Sequence, residues 1–403
     1  MMREKNIFTY LLFILIFSNS CNNTSTEVVE SSLFPTEAWP KSDLESSQIS
    51  VEGIDSINTK VEQGLYGYID EVFITQRGEA VYYRKYDNDY KAISQDKEGY
   101  LGCGYNVCKD SSQLNEFNYY HPDWHPYYQG RTVHTLQSVT KSVTATIMGI
   151  AFKEQKIPSL DDKLINYFSD YKLENTDPLL KEVTIKNLLS MQLGMEWHEM
   201  DRPIDSTNTT MQLELSEDWI QFTLDQPFDT LPNTKFVYNS GASHLMSGII
   251  KKTTGEYIDD YARKKLFKPL GIKDFHWKKE PKGFPDTEGG LFLSAQDLAK
   301  IGYLYLKNGE WDGQQIISED WVQQTFTKQV PVGMGDDNMK YGYQWWILDI
   351  QNSTAYLGLG FGGQFLIVIP EYEIVATVNS WNIFDDGPFQ NILLDILTVL
   401  TEG

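Results

Sequence analysis

The chain has 403 residues, 41% hydrophobic and 13% aromatic, enough apolar material for a large core and a length open to two or three domains. Its 34 basic and 56 acidic residues give a formal net charge of −22, which argues against nucleic acid as a partner and against a surface that grips anionic lipid head groups. None of the three cysteines has the second Cys or His pair that would complete a zinc site, and no metal or organic cofactor is expected.

Arg3 and Lys5 flank an apolar run over residues 7–17, followed by Ser18-Asn19-Ser20-Cys21. A charged start, a short apolar stretch and small residues predict a signal peptide over residues 1–20, and the run is short for a membrane span. Cys21 directly after a small residue resembles the lipid-attachment box of bacterial lipoproteins, although Leu or Val is usual where Ser18 stands. The expectation is an exported protein, periplasmic or outer-membrane-associated, that touches membrane only through a lipid anchor on Cys21. An ordinary cleaved signal peptide is the alternative. Residues 21–60, rich in Ser, Thr, Glu and Pro without a clean period, read as a flexible tether to a domain over 61–403.

Val72-Phe73-Ile74, a turn at Arg77-Gly78-Glu79 and Ala80-Val81-Tyr82-Tyr83 predict a β-hairpin. Residues 87–133 are aromatic, polar and Gly/Pro-punctuated and read as a long ordered loop. Within it, Cys103 and Cys108 lie in a Gly-containing stretch. An oxidising compartment permits a disulfide there, with two free thiols as the alternative. Helical and loop signals then dominate to about residue 328, with helix starts at Ser159, Thr184, Ser240 and Ser294. Strands return at Tyr341-Gly342-Tyr343-Gln344-Trp345-Trp346-Ile347, at 365–369 and, after a Pro370 turn, at 374–378. Residues 389–400 read as a closing helix. The predicted fold is α/β (α+β): one antiparallel sheet built from N- and C-terminal strands, flanked by helices, with a mainly helical inserted subdomain.

The stretch that organises the chain is Gln137-Ser138-Val139-Thr140-Lys141-Ser142-Val143. Apolar residues at 139, 143, 147 and 150 mark one helical face, with Ser138 at its start and Lys141 three residues on, over the same face. That is the layout of a nucleophile beside its base, and the macrodipole there favours a developing alkoxide. Ser-x-x-Lys also occurs at Ser94/Lys97 and Ser169/Lys172, but only Ser138 leads into an amphipathic helix. By itself the spacing reads equally as a helix N-cap with a solvated lysine.

Two further stretches bear on it. Tyr238-Asn239-Ser240 precedes the helix after residue 240, where a phenol can enter a cleft; a nearby ammonium would favour its ionisation. A half-buried core tyrosine is the alternative. Gly358-Leu359-Gly360-Phe361-Gly362-Gly363-Gln364 precedes a strand, and exposed N–H groups there can hold an oxyanion; a glycine-rich turn is the alternative. The histidines offer no triad, and no Gly-x-Ser-x-Gly elbow is present. Met195-Glu196-Trp197-His198-Glu199 reads as a cleft wall or as packed loop.

Together these motifs resemble the serine β-lactamase-like hydrolases, a superfamily that includes class C β-lactamases, D-alanyl-D-alanine carboxypeptidases, related esterases and the 6-aminohexanoate-dimer hydrolases. Ser138-Val139-Thr140-Lys141 matches the Ser-x-x-Lys motif, Tyr238-Asn239-Ser240 the Tyr-x-Asn/Ser motif, and Gly360-Phe361-Gly362-Gly363 stands at the third. Residues 183–195, 289–299 and 341–346 are similar to the family as well. The resemblance implies a β-lactamase/transpeptidase-like fold and an acyl-enzyme on Ser138, with Lys141 and Tyr238 as general base and acid. The lysine must then be neutral, or the tyrosine ionised, part of the time. It places Gly363, with Gly362 and Gln364, at the oxyanion or substrate, and Ser240 against Lys141 or a substrate amide. Gly360 stands where many relatives carry the cation that recognises a substrate carboxylate, which turns the expectation toward small ester, amide or peptide substrates. A β-lactamase or D-alanyl carboxypeptidase acting on peptidoglycan-type substrates is one alternative. A non-catalytic envelope binding module is the other.

Overall fold

A computed structural model of the protein describes residues 34–94, 125–174, 176–327, 330–332, 338–350, 353–383 and 388–401. The expected signal peptide, Cys21, Cys103 and Cys108 lie outside the described residues. In chain order, the elements that matter for the site are α1 (Val51–Glu62), β1 (Ile69–Gln76), β2 (Glu79–Lys85), β3 (His134–Thr135), α2 (Val139–Lys153), α3 (Ile185–Leu189), α4 (Thr209–Leu215) and α5 (Trp219–Leu224). They continue with α6 (Ser240–Thr254), β4 (His276–Trp277), β5 (Leu291–Leu293), α7 (Ala295–Leu306), β6 (Val330–Pro331), β7 (Met339–Tyr341), β8 (Trp346–Ile350), β9 (Ser353–Gly360), β10 (Gln364–Ile369), β11 (Ile374–Ser380) and α8 (Pro388–Thr401).

Eight strands form one antiparallel sheet in the order β2-β1-β11-β10-β9-β8-β7-β6. The expected hairpin is β1–β2. Its turn has Arg77 at φ 53° and Gly78 at φ 83°, the two left-handed positions that match strand twist. Every residue of β1 is buried, because β1 pairs with β11 on its other edge (Val72 opposite Val378, Ile74 opposite Ala376) and both faces are covered. The two ends of the chain thus meet in one sheet, as expected, and the helices between β2 and β6 form the inserted region.

Four details depart from the sequence reading. Residues 34–60 are not part of a tether: Trp39, Ile49, Ile54 and Ile57 are buried, and α1 packs on α8 with Lys60 Nζ 2.6 Å from Asp395. The apolar spacing of α1 was diluted by its acidic and amide residues. Ser159 starts no helix; its hydroxyl accepts the Asp161 N–H (3.1 Å) in a turn, and only a 3-10 segment follows at Leu164–Tyr167. The single strand expected over 341–347 is a hairpin, β7–β8, reversed where Gln344 takes φ 59°. Finally, the glycine stretch is itself a strand. In β9, a Cβ on Gly358 would sit 2.9 Å from Val139 Cγ1, and one on Gly360 2.5 Å from the Leu136 carbonyl. Those glycines allow the strand to lie against the start of α2, and they also hide its strand signal.

The middle of the molecule is α2. Residues 139–151 are all buried, so the helix reaches solvent only at its C-terminal end, at Phe152 and Lys153, with α6 and the sheet packed around the rest. Ser294, whose hydroxyl accepts the Asp297 N–H (3.1 Å), starts α7, and Thr184 with Asn187 forms a capping box at α3.

Candidate active site

The nucleophile candidate is delivered by strain and by sheet pairing. Leu136 donates its N–H to the Leu291 carbonyl (2.9 Å), extending the β3–β5 pairing. Gln137 then turns sharply at φ 47°, a costly conformation for a residue with a side chain. Ser138 follows at φ −63°, ψ −8°, already helical, and its hydroxyl makes no capping bond. It is therefore not spent as an N-cap. Ser138 is half-buried, whereas Lys141 behind it is 1% exposed.

The Lys141 Nζ donates to Ser138 Oγ (2.9 Å), to the Glu288 carbonyl (2.7 Å) and to Glu288 Oε2 (3.3 Å). Three acceptors around a buried amine make a fixed tripod. Of the other two Ser-x-x-Lys copies, Ser169 and Lys172 are exposed, and Lys97 lies outside the described residues.

Tyr238 closes the third side. Its ring stacks on Trp346 (5.5 Å, 24°), meets Tyr341 edge-on, and lies 5.2 Å from Lys141 Nζ. Burial pushes its phenol well above the ordinary range, and Glu199 and Glu288 push it further, while Ser138 nearby lowers it. Burial is the largest of these causes, and the shift runs opposite to the ionisation expected beside a lysine ammonium.

Three of the expected binding positions are placed differently. Ser240 does not reach Lys141; its hydroxyl donates to Glu199 Oε1 (2.7 Å) and its N–H to Glu199 Oε2 (2.9 Å), at the positive end of α6. The Asn239 side chain caps the same helix, accepting the Ala242 N–H (2.8 Å). Gly362 (φ 77°) and Gly363 (φ 89°) make the β9–β10 turn, and the Gly363 N–H donates to the Gly360 carbonyl (3.2 Å). That donor is committed to the turn rather than held for an oxyanion. The Gln364 amide faces into the sheet, donating to the Ser380 carbonyl and accepting the Ser380 N–H (3.3 Å). It is lost from the ligand-facing set.

Sequence reasoning missed the carboxylates. Asp286 Oδ1 accepts the N–H groups of Glu288 and Gly289 (both 3.0 Å), an Asx-type turn that aims Glu288 at Lys141. Glu288 stands directly before the recognised stretch Gly289-Gly290-Leu291, and its acid just ahead of two glycines was the available signal. Glu214, on α4, is buried, and burial raises its carboxyl well above the ordinary range, with the charges of Glu288 and Asp286 adding to it.

The stretch 195–199 is a wall of the mouth. A cavity of about 230 Å³ opens beside Tyr238, lined by Met195, Trp197, His198, Phe236 and Val332 among others. His198 is paired with Asp201 (2.8 Å) and Glu196 (3.3 Å), whose hydrogen bonds raise its pKa. Of the remaining histidines, buried His134 faces Asp70 (2.9 Å) with one nitrogen and the Thr135 carbonyl (3.0 Å) with the other, so it completes no triad.

Residues 70–390 match the family described as Beta-lactamase. The chain is 23% identical over 290 residues to a 6-aminohexanoate-dimer hydrolase of Paenarthrobacter ureafaciens, covering 66% of this chain and 72% of that one. It is 26% identical over 177 residues to a lovastatin esterase of Penicillium rubens, covering 40% and 42%. Among solved structures, the octameric penicillin-binding protein homologue from Pyrococcus abyssi superposes with a TM-score of 0.60 at 20% identity, over 87% of this chain and 77% of that one.

Proposed function

Since the chain belongs to the β-lactamase family of hydrolases, we propose that it cleaves an ester or amide bond through an acyl-enzyme on Ser138. The observation that carries this reading is the half-buried Ser138 hydroxyl held 2.9 Å from a fully buried lysine amine, with the Tyr238 ring 5.2 Å from that amine. Lys141, when neutral, takes the Ser138 proton as Oγ attacks the carbonyl. Tyr238 gives its proton to the departing oxygen or nitrogen and regains one from Lys141. Water then enters: the same amine takes its proton as its oxygen bonds to the acyl carbon, and that proton returns to Ser138 Oγ as the acyl–Oγ bond breaks and the acid leaves. Because Tyr238 stays neutral, the base is the amine and the tyrosine is the acid.

Gly360 supports an ester or amide substrate without a recognised carboxylate, and the names of the relatives, a dimer hydrolase and an esterase, support amide or ester cleavage. The test is turnover of a nitrophenyl acyl ester, linear amides, D-amino-acid peptides and β-lactams by wild type and by Ser138→Ala. The variant is expected to stay folded and to lose turnover by about three orders of magnitude or more. Full activity without Ser138, or fluorophosphonate labelling of another residue, would overturn the assignment. We also propose export and a lipid on Cys21; metabolic labelling with a fatty acid that is lost in Cys21→Ser is the expected result.

A further inference from the structure

Tyr238 serves as an acid only if its hydroxyl stays where the leaving atom departs, and one carboxylate stands at the root of the segment that carries it. Resting on the reading of Tyr238 as acid, we infer that Glu199 is a positioning residue for that phenol. It ties the wall of the mouth to the first turn of α6 and so fixes the stretch Tyr238-Asn239-Ser240.

The tie has two ends. On the α6 side, Glu199 Oε1 accepts the Ser240 hydroxyl (2.7 Å) and Oε2 accepts the Ser240 N–H (2.9 Å). Both oxygens of one carboxylate thus take both donors of the first helical residue, where the macrodipole favours an anion. On the wall side, Oε2 also accepts the Trp197 indole N–H (3.0 Å), and Trp197 lines the cavity beside Tyr238. The Glu199 backbone is itself pinned: Asn208, which caps α4, donates its side-chain amide to the Glu199 carbonyl (3.0 Å).

Tyr238 lies between two backbone anchors. Before it, the Val237 N–H donates to the Met191 carbonyl (2.9 Å). After it, the Ser240 N–H ends on Glu199, because the Asn239 side chain is occupied with the Ala242 N–H (2.8 Å). The ring contacts with Trp346 and Tyr341 restrain its tilt but let it slide, so the backbone sets how far the hydroxyl reaches. In the step that depends on this reach, the phenol O–H bond breaks and an O–H or N–H bond forms on the departing atom as that atom leaves the carbonyl carbon; Lys141 then resupplies the phenol. A small displacement of the donor is enough to slow such a transfer.

The experiment is kcat/KM for two esters of one acyl group: a nitrophenyl ester, whose leaving group needs no proton, and an alkyl ester, whose leaving group does. Partial unfolding lowers both alike, whereas a misplaced acid lowers the ratio of alkyl to nitrophenyl turnover. Glu199→Ala is expected to lower that ratio about tenfold or more. Glu199→Gln is expected to restore it to within about threefold of wild type, since the amide oxygen accepts the two N–H groups while its NH2 donates to the Ser240 hydroxyl. In a Tyr238→Phe background, Glu199→Ala is expected to change the ratio no further. An unchanged ratio in Glu199→Ala, no restoration in Glu199→Gln, or a further fall on top of Tyr238→Phe overturns the proposal. Should Glu199→Ala fail to fold, Ser240→Pro decides. It deletes both donors to Glu199 at a first helical position, where proline fits, and Asn239 before it is already extended (φ −143°, ψ 102°). The same fall is expected there; a wild-type ratio, or failure of this variant to fold as well, overturns the proposal. A wild-type ratio in Tyr238→Phe removes the acid reading and this proposal with it. A fall in Tyr238→Phe without one in Glu199→Ala removes this proposal alone.

Discussion

Two buried pairs of polar side chains lie close in sequence to the three-stranded sheet β3-β5-β4, and they differ in one respect. His134 and Asp70 are satisfied on every side: the ring faces Asp70 and the Thr135 carbonyl, while Asp70 also takes the hydroxyls of Tyr90 and Tyr128 (2.8 Å). Lys141 and Glu288 are as deeply enclosed, but one arm of the lysine ends on a hydroxyl that is only half-buried. A closed network can only hold the fold. A network with one arm reaching the surface can also pass a proton outward. Burial and charge alone do not separate the two pairs; the open end does.

Substitutions should separate them in the same way. Lys141→Met is expected to lower kcat by about three orders of magnitude or more, roughly 4 kcal/mol of barrier, with a smaller change in melting temperature because Glu288 can take a proton. Asp70→Asn is expected to cost about 3–4 kcal/mol of stability in denaturant unfolding while the folded protein keeps its turnover. A large kcat loss there would erase the distinction. Tyr238→Phe comes next, with about a hundredfold loss for an amide and much less for a nitrophenyl ester, whose leaving group needs no proton.

Another buried histidine, His244, gives a stability test. Burial without a ring hydrogen-bond partner lowers His244 to about 3, below its usual 6.5. The unfolded chain therefore takes up the proton first. Stability from this residue is complete above pH 6.5 and falls as the pH drops toward 3. Unfolding near pH 4 should show a loss of about 3 kcal/mol that His244→Leu removes. The smallest effect is expected for Ser240→Ala, about 1 kcal/mol of stability and little change in kcat, since its hydroxyl serves Glu199.

Local rules carried much of the fold. Arg77-Gly78 announced its hairpin, Ser294 its helix, and the apolar spacing after Ser138 the helix that became the centre of the molecule. They failed where a residue answers to a distant neighbour. Gly358 and Gly360 are glycine because α2 lies against them, so β9 reads as a loop. Lys141 and Glu288 meet across separate elements, and nothing within a window of either residue records the other. Ser138, Lys141 and Tyr238 stood out because each sits at the start or first turn of a helix with a legible period.

The close approach at Gly360 also bears on how this protein can change. Any side chain there would begin 2.5 Å from the Leu136 carbonyl, two residues before Ser138. A cation for carboxylate recognition is thus not one substitution away at this position. Its ancestor or descendant would first have to reroute the backbone that delivers Ser138. Adaptation toward carboxylate-bearing drugs through this strand faces a barrier of several coordinated changes, and selection experiments should find such gains at the mouth around His198 instead.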